Sequence, residues 1–282
     1  MNIKVIKFSH ILVILFTLII LLSMLISFVT ANSEEYIEVP IIMYHSILKD
    51  ISRSNKYTIT PSTLEEDLKY INTNGYNTIT ISDLISFVYD NKELPEKPII
   101  ITFDDGHYNN YGYVYPLLEK YNMKAVISIV GSYTDKFSET DEANLNYSYL
   151  RWKDINELIS TGRIEFQNHT YNLHDNTHGR IGAKKKKGES DEEYKKILEE
   201  DINKLQNEFK ENTGYIPTCF TYPFGGISNS SIEIIKELGF KASLSCEEGI
   251  NKITKNPNSL YLLKRYNRPS FMSTYNFFQK FN

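Results

Sequence analysis

The sequence has few cysteines, no excess of positive charge, no internal repeats and no flexible linkers. Its two cysteines, Cys219 and Cys246, cannot build the disulfide framework of a small secreted domain, and their spacing fits no zinc-finger motif. Whether they pair with each other depends on the fold. The 31 basic and 35 acidic residues give a net charge of −4. Nucleic-acid-binding domains carry a strongly basic face, so we expect no nucleic-acid partner.

The absence of repeats and of Pro/Gly-rich linkers argues against a division into several domains. Apolar residues make up 41% of the chain and charged residues 23%, which excludes the disordered and collagen-like classes. We therefore predict one folded domain over residues 32–282, preceded by a distinct N-terminal segment, residues 1–31.

The N-terminal segment has the pattern of an export signal. Lys4 and Lys7 precede an uncharged, largely apolar run over residues 11–29, and small residues follow up to Ala31. A cleaved signal peptide ending at Ala31 fits this pattern. The run also approaches the roughly 20 residues that span a bilayer, so an uncleaved anchor in the cytoplasmic membrane is the alternative. Either interpretation places the remaining chain outside the cytoplasm, in the cell envelope or beyond it.

From residue 39 onward, short apolar runs alternate with amphipathic helical patterns, with a capping box at Ser62 starting the first helix and Gly75 ending it. We interpret residues 134–149 as a loop. The predicted strands are residues 39–44, 78–81, 98–103, 124–130, 163–167, 219–222 and 242–245. Alternation of this kind implies parallel strands joined by right-handed crossovers. We predict an α/β fold, an incomplete (β/α) barrel of about seven parallel strands, with its active site at their carboxyl ends.

Two adjacent carboxylates, Asp104 and Asp105, follow the apolar strand at residues 98–103 within the sequence TFDDG. Such a pair is costly unless a cation or a proton holds it together. Successive strand residues face opposite ways, so one carboxylate can bind a metal while the other stays free as a base. The alternative is that they cap the following helix.

Two histidines, His169 and His174, come directly after the strand at residues 163–167. Two histidines and one carboxylate form a common catalytic metal set. A five-residue step turns the second side chain by about 140° on a helix, so the pair requires a loop. We interpret His178, four residues further, as part of that loop.

Two further strand ends carry polar groups. The turn at residues 222–226, YPFGG, can expose backbone N–H groups to a developing oxyanion, or it is an ordinary strand-to-helix turn. His45, at the end of the first strand, has an intrinsic pKa near 6.5 and suits a general acid, unless its role is structural.

Together, TFDDG, the His-Thr-x-x-x-His segment and YPFGG resemble the polysaccharide deacetylases of carbohydrate esterase family 4, over residues 39–268. The resemblance implies a metal-dependent hydrolase on a distorted (β/α) barrel. Its substrate would be an N-acetylglucosamine polymer of the poly-N-acetylglucosamine, peptidoglycan or chitin type, from which it removes N-acetyl groups. The alternatives are an O-deacetylase of acetylated xylan and a glycan-binding protein without turnover.

The resemblance also implies roles for individual residues. Asp105, His169 and His174 would bind a divalent metal, zinc before cobalt or nickel, and Asp104 would be the general base. The N–H of Phe224 would help to hold the oxyanion.

Tyr222 and Pro223, in the turn before Phe224, are predicted to contact the substrate.

Two positions depart from the usual family pattern. No histidine follows His178, so His45 would be the general acid, which is similar to the permuted subgroup that deacetylates poly-N-acetylglucosamine in biofilms. Thr221 stands where the family commonly has the arginine that steadies the base. Arg265 or Arg268 would have to replace it.

Overall fold

The computed structural model describes residues 8–31, 35–177 and 179–281. It consists of two compact units, Met1–Tyr36 and Ile37–Asn282. Lys4, Lys7 and His178, which the sequence analysis names, lie outside the described residues.

The first unit contains the helix α1 (Phe8–Ala31), whose sequence is largely apolar. Counting the described residues, the structure has no helix that is both long enough and apolar enough to cross a membrane.

The second unit alternates short strands with helices. Its strands are β1 (Ile37–Val39), β2 (Ile41–Tyr44), β3 (Ser46–Ile47), β4 (Thr58–Ile59), β5 (Asn77–Thr78), β6 (Pro98–Phe103), β7 (Ala125–Ile129), β8 (Ile164–Asn168), β9 (Cys219–Thr221), β10 (Ala242–Leu244), β11 (Asn251–Ile253) and β12 (Tyr266–Asn267). Its helices are α2 (Pro61–Thr73), α3 (Ile81–Tyr89), α4 (Tyr115–Lys120), α5 (Gly131–Thr140), α6 (Trp152–Ser160), α7 (Asp191–Thr213), α8 (Asn229–Glu237) and α9 (Thr274–Phe278).

The central sheet has the strand order β10-β9-β8-β7-β6-β2-β12, and β5 pairs with β6. Every one of these pairings is parallel. The segment that leads into β12 also pairs with β10, the strand at the opposite end of this order, through a bridge between Leu244 and Leu263. Residues 263–267 therefore contact both β10 and β2. The predicted incomplete barrel of about seven parallel strands is confirmed.

The apolar pattern of the sequence explains where the core lies. All six residues of β6 are buried, as a strand covered on both faces requires.

Cys219 and Cys246 are both free thiols, so the fold does not pair them.

The start of α2 differs from the prediction. The cap is Thr60, not Ser62: the Thr60 side chain accepts a hydrogen bond from the Thr63 N–H, and Pro61 occupies the first helical position. Proline is favoured there because its fixed φ suits the helix and its missing N–H costs nothing. The end of the helix near Gly75 is as predicted, since Asn74 is the C-cap residue.

Two other elements differ from the sequence-based assignment. The strand predicted over residues 78–81 ends at Thr78, because Thr80 and Asp83 form the capping box of α3. The loop predicted over residues 134–149 is helical in its first part, because α5 extends from Gly131 to Thr140. A Cβ atom on Gly131 would lie 2.6 Å from the Tyr171 ring, so glycine permits the close approach with which α5 begins.

A buried ion pair ties the segment after β12 to α2. The Arg268 Nε donates to Asp67 Oδ2 at 2.8 Å, and neither side chain is exposed. Tyr44 and Thr274 donate their hydroxyls to the same carboxylate, at 3.0 and 2.6 Å. Every oxygen of Asp67 is therefore bonded, as a buried charge requires.

We predict that Asp67→Ala lowers the free energy of unfolding by about 3–5 kcal/mol, because it strands the buried Arg268 guanidinium without a counter-charge. Urea unfolding followed by circular dichroism measures the change. Lys195→Ala is the matched control: it breaks the exposed ion pair with Glu237, which water screens, and should change little. Equal effects of the two substitutions would contradict the prediction.

Candidate active site

The polar residues that follow β2, β6, β8 and β9 meet in one cavity of about 730 Å³ at the carboxyl edge of the sheet. Parallel strands bring their carboxyl ends to the same edge, so residues far apart in the sequence converge there. The predicted residues that line this cavity are His45, Asp104, Asp105, His169, His174 and Phe224.

The end of β6 directs the two adjacent carboxylates to different partners. Asp104 continues the strand, and its N–H donates to the Tyr44 carbonyl at 2.9 Å. Asp105 and Gly106 then both adopt positive φ, 72° and 74°. A Cβ atom on Gly106 would lie 2.8 Å from a methyl group of Ile129, so glycine is required at this turn. The turn separates the side chain of Asp105 from that of Asp104.

Asp105 lies against both predicted histidines. Its Oδ1 is 3.6 Å from His169 Nε2 and 3.1 Å from His174 Nε2. One ligand atom from each of the three residues lies within 4.8 Å of the others. The Nδ1 of His169 is 2.8 Å from the Thr221 carbonyl. A proton donated there fixes the tautomer that leaves Nε2 free to bind a metal.

The donor set fits a divalent cation. Asp105 Oδ1 is buried and has no hydrogen-bond partner among the described residues, as expected of an oxygen that faces a cation. Burial acts to raise the pKa of Asp105, but the neighbouring His107, His169 and His174 hold it well below its usual value. The carboxylate is therefore ionised, and two imidazoles with one carboxylate are a suitable set for zinc.

Asp104 is held by Arg265. The two Nη atoms of Arg265 donate to the two carboxylate oxygens at 2.7 and 2.8 Å, and both side chains are almost completely buried. Burial acts to raise the pKa of Asp104, but Arg265 and His169 lower it below its usual value. Of the two arginines proposed to replace the family's motif arginine, Arg265 contacts Asp104 and Arg268 binds Asp67 instead.

The loop that carries the histidines is fixed by Asp201 of α7. Its two oxygens accept the N–H groups of Tyr171 and Asn172 at 2.7 and 2.8 Å. Thr170 has a positive φ of 73°, and its N–H donates to the Asn168 side chain. Burial raises the pKa of Asp201 to about 6, although these N–H groups act to lower it. Sequence reasoning missed Asp201, because a carboxylate within a charged helix resembles a solvated one.

His45 lies in the cavity with its ring centroid 4.8 Å from that of Tyr57. Its Nδ1 is buried and has no hydrogen-bond partner among the described residues. Burial lowers the pKa of His45, and the Asp105 and Asp104 carboxylates offset part of that shift.

The turn after β9 places Phe224 at the cavity wall. Phe224 has a φ of 57°, and its ring lies 4.5 Å from the ring of His174. The N–H groups of Gly225 and Gly226 donate to the carbonyls of Tyr222 and Pro223 and close the turn. The N–H of Phe224 takes part in neither bond.

Tyr222 and Pro223, the predicted substrate contacts, lie in the turn beside the cavity rather than in its lining. Tyr222 is fully buried and its hydroxyl is 3.0 Å from that of Ser231, while Pro223 is also buried. Neither is among the described residues that line the cavity. Tyr222 packs in the core beneath the turn, because the strand alternation directs it away from the cavity.

Sequence reasoning also missed His107 and Tyr149, which line the cavity. His107 directly follows TFDDG, and this position next to the carboxylate pair was the signal that could have identified it. Its Nε2 lies 3.4 Å from Asp105 Oδ2.

Comparisons with curated proteins identify relatives of this chain. The poly-β-1,6-N-acetyl-D-glucosamine N-deacetylase of Escherichia coli K12 is 25% identical over 227 residues, 74% of this chain but 34% of that protein. The chain therefore spans about a third of that relative's length. The protein of the same name from Staphylococcus aureus MSSA476 is 26% identical over 221 residues, 78% of this chain and 70% of the relative.

Solved structures show the same fold. The de-N-acetylase from Aggregatibacter actinomycetemcomitans superposes with a TM-score of 0.72 at 25% identity, covering 84% of this chain and 97% of that one. IcaB from Ammonifex degensii superposes with a TM-score of 0.66 at 21% identity, covering 82% and 92%. Residues 91–243, more than half of the chain, match the polysaccharide deacetylase family model. The chain belongs to the polysaccharide deacetylase family.

Proposed function

We propose that this chain is a metal-dependent hydrolase that removes N-acetyl groups from an extracellular polymer containing N-acetylglucosamine. One observation carries the proposal: two different carboxylate sites lie side by side in one cavity. Asp104 is bonded by Arg265, and the adjacent Asp105 lies with His169 and His174 in a group that could hold a metal. The names of the E. coli and S. aureus relatives favour poly-N-acetylglucosamine over peptidoglycan or chitin.

Asp105, His169 and His174 would hold the divalent cation, with zinc preferred and cobalt or nickel also suited to this donor set. When bound, such an ion polarises the amide carbonyl and stabilises developing negative charge.

Asp104 would be the general base. Its low pKa and its two hydrogen bonds from Arg265 keep it ionised and fix its orientation. As water attacks the amide carbon, the carboxylate takes the water proton. Because Arg265 is itself buried, the carboxylate is ordered before the substrate arrives, so no energy is spent on orienting it during the reaction.

His45 and Phe224, which also line the cavity, would complete the reaction. The N–H of Phe224 donates to the oxygen that becomes negative as the tetrahedral intermediate forms. His45 gives a proton to the leaving nitrogen as the carbon–nitrogen bond breaks. The products are acetate and a free amine on the sugar.

The cavity offers apolar surfaces for a sugar chain. Tyr57, Tyr147 and Phe224 line it, and these residues are about half exposed, at 46%, 53% and 46%. Aromatic rings exposed in this way suit stacking against the apolar faces of pyranose rings. These three replace Tyr222 and Pro223 as the proposed substrate contacts.

We further propose that the protein acts outside the cytoplasm. The support is the sequence of the N-terminal segment, in which Lys4 and Lys7 precede the apolar run at residues 11–29. Cleavage after Ala31 and retention in the cytoplasmic membrane are the two forms of this proposal.

Acetate release tests the proposed function. We expect the zinc-loaded protein to release acetate from poly-N-acetylglucosamine more rapidly than from chitin oligomers, peptidoglycan or acetylxylan. His169→Ala removes a ligand and should abolish both zinc binding and acetate release. Release from acetylxylan alone would identify an O-deacetylase. Zinc binding and glycan retention without any acetate release would identify a binding protein.

Asp104→Asn tests the general base. The amide cannot accept the water proton, so we expect acetate release to fall by about 10²–10⁴-fold. Zinc binding should persist, because the three ligands are unchanged. Asp191→Asn, at an exposed carboxylate, is the control and should keep full activity. Full activity of the Asp104 variant would refute the assignment.

Arg265→Lys tests the orientation of the base. A lysine keeps the charge but cannot donate two parallel hydrogen bonds to the carboxylate. Losing one charge-assisted bond of about 1.5–3 kcal/mol should lower kcat by roughly 10- to 100-fold. Zinc affinity should not change, and Arg163→Lys, at a surface arginine, is the control. An unchanged kcat would show that orientation by Arg265 is dispensable.

A further inference from the structure

We infer that His107 is a positioning residue for the metal site: its Nε2–H donates to Asp105 Oδ2 and fixes the carboxylate so that Oδ1 faces His169 and His174. This inference rests on the proposed function, since it takes Asp105 as a metal ligand.

The two oxygens of Asp105 have different neighbours. Oδ1 lies near the Nε2 atoms of His169 and His174, at 3.6 and 3.1 Å. Oδ2 lies 3.4 Å from His107 Nε2. The carboxylate therefore presents one oxygen to the ligand group and the other to His107. A donor on Oδ2 restrains rotation of the carboxylate about its terminal bond.

The backbone brings His107 to this position. The positive φ angles of Asp105 and Gly106 reverse the chain so that both side chains enter the cavity. Two hydrogen bonds then fix the segment against a neighbouring loop: the Tyr108 N–H donates to Ser148 and the Leu150 N–H donates to Gly106, each at 2.8 Å.

The imidazole ring is held by aromatic neighbours. It stacks on Tyr149 with a centroid distance of 4.8 Å and an interplanar angle of 27°. Tyr149 in turn packs against Tyr133 and Phe137, at 4.5 and 5.7 Å. A ring held in this layer keeps its Nε2 near Asp105 Oδ2.

A group that orients a metal ligand changes metal affinity without touching the metal. Removing such partners typically weakens metal binding by about 10- to 100-fold. A purely structural His107 would act through its ring alone, by packing on Tyr149. The two roles depend on different parts of the side chain, so two substitutions separate them.

The test compares His107→Phe with His107→Gln by zinc competition against a chromophoric chelator. Phenylalanine keeps the stacked ring and loses the donor, whereas glutamine keeps an N–H donor at the Nε2 position and loses the ring. We expect zinc affinity to fall by about 10- to 100-fold in the Phe variant and to stay near wild type in the Gln variant. Thermal melting of both variants checks their folding.

Other outcomes overturn the inference. Wild-type affinity in the Phe variant with a loss in the Gln variant would assign His107 a packing role. Equal losses in both would indicate that the imidazole itself is needed, as for a direct ligand. Failure of the wild-type protein to bind zinc would instead contradict the proposed function, and with it this inference.

Discussion

The buried pair of Arg265 and Asp104 is the interaction on which the site depends. Two charges removed from water are stable only when every donor and acceptor is matched. Here both carboxylate oxygens are bonded, and the remaining guanidinium donors reach the Ser245 carbonyl and the Thr102 hydroxyl, at 2.8 and 3.2 Å. These partners lie on three separate parts of the sheet. The contact that orients the proposed base therefore also joins β6 to the segments after β10 and before β12.

Adjacent carboxylates have separate surroundings in this site because the backbone changes conformation between them. Asp104 ends an extended strand and lies against a fixed cation, whereas Asp105 is left-handed and lies among imidazoles. Neither has to share a proton with the other, which is the usual outcome for neighbouring acids. A single peptide unit thus separates a proton acceptor from a group suited to bind a metal.

The sequence alone predicted the parallel sheet and the polar groups at its strand ends. The hydrophobic periodicity and the strand lengths indicate parallel strands, and parallel strands bring their carboxyl ends to one edge of the sheet. The sequence could not choose between Arg265 and Arg268, since both reach the interior from the same short strand region and only their partners distinguish them. It missed Asp201, whose role depends on how α7 packs against the histidine loop. It did not reveal that Tyr222 is buried, because the YPFGG motif indicates a turn but not which of its side chains face the interior.

Among the described residues, the two fully buried arginines flank β12: Arg265 directly precedes it and Arg268 directly follows it. The acids that they bind, Asp104 and Asp67, appear more than 150 positions earlier, with separations of 161 and 201 residues. During synthesis, those acids have no such counter-charges until residues 265–268 have been made. A chain that ends before Arg265 therefore has an undirected acid where the folded domain has an oriented carboxylate.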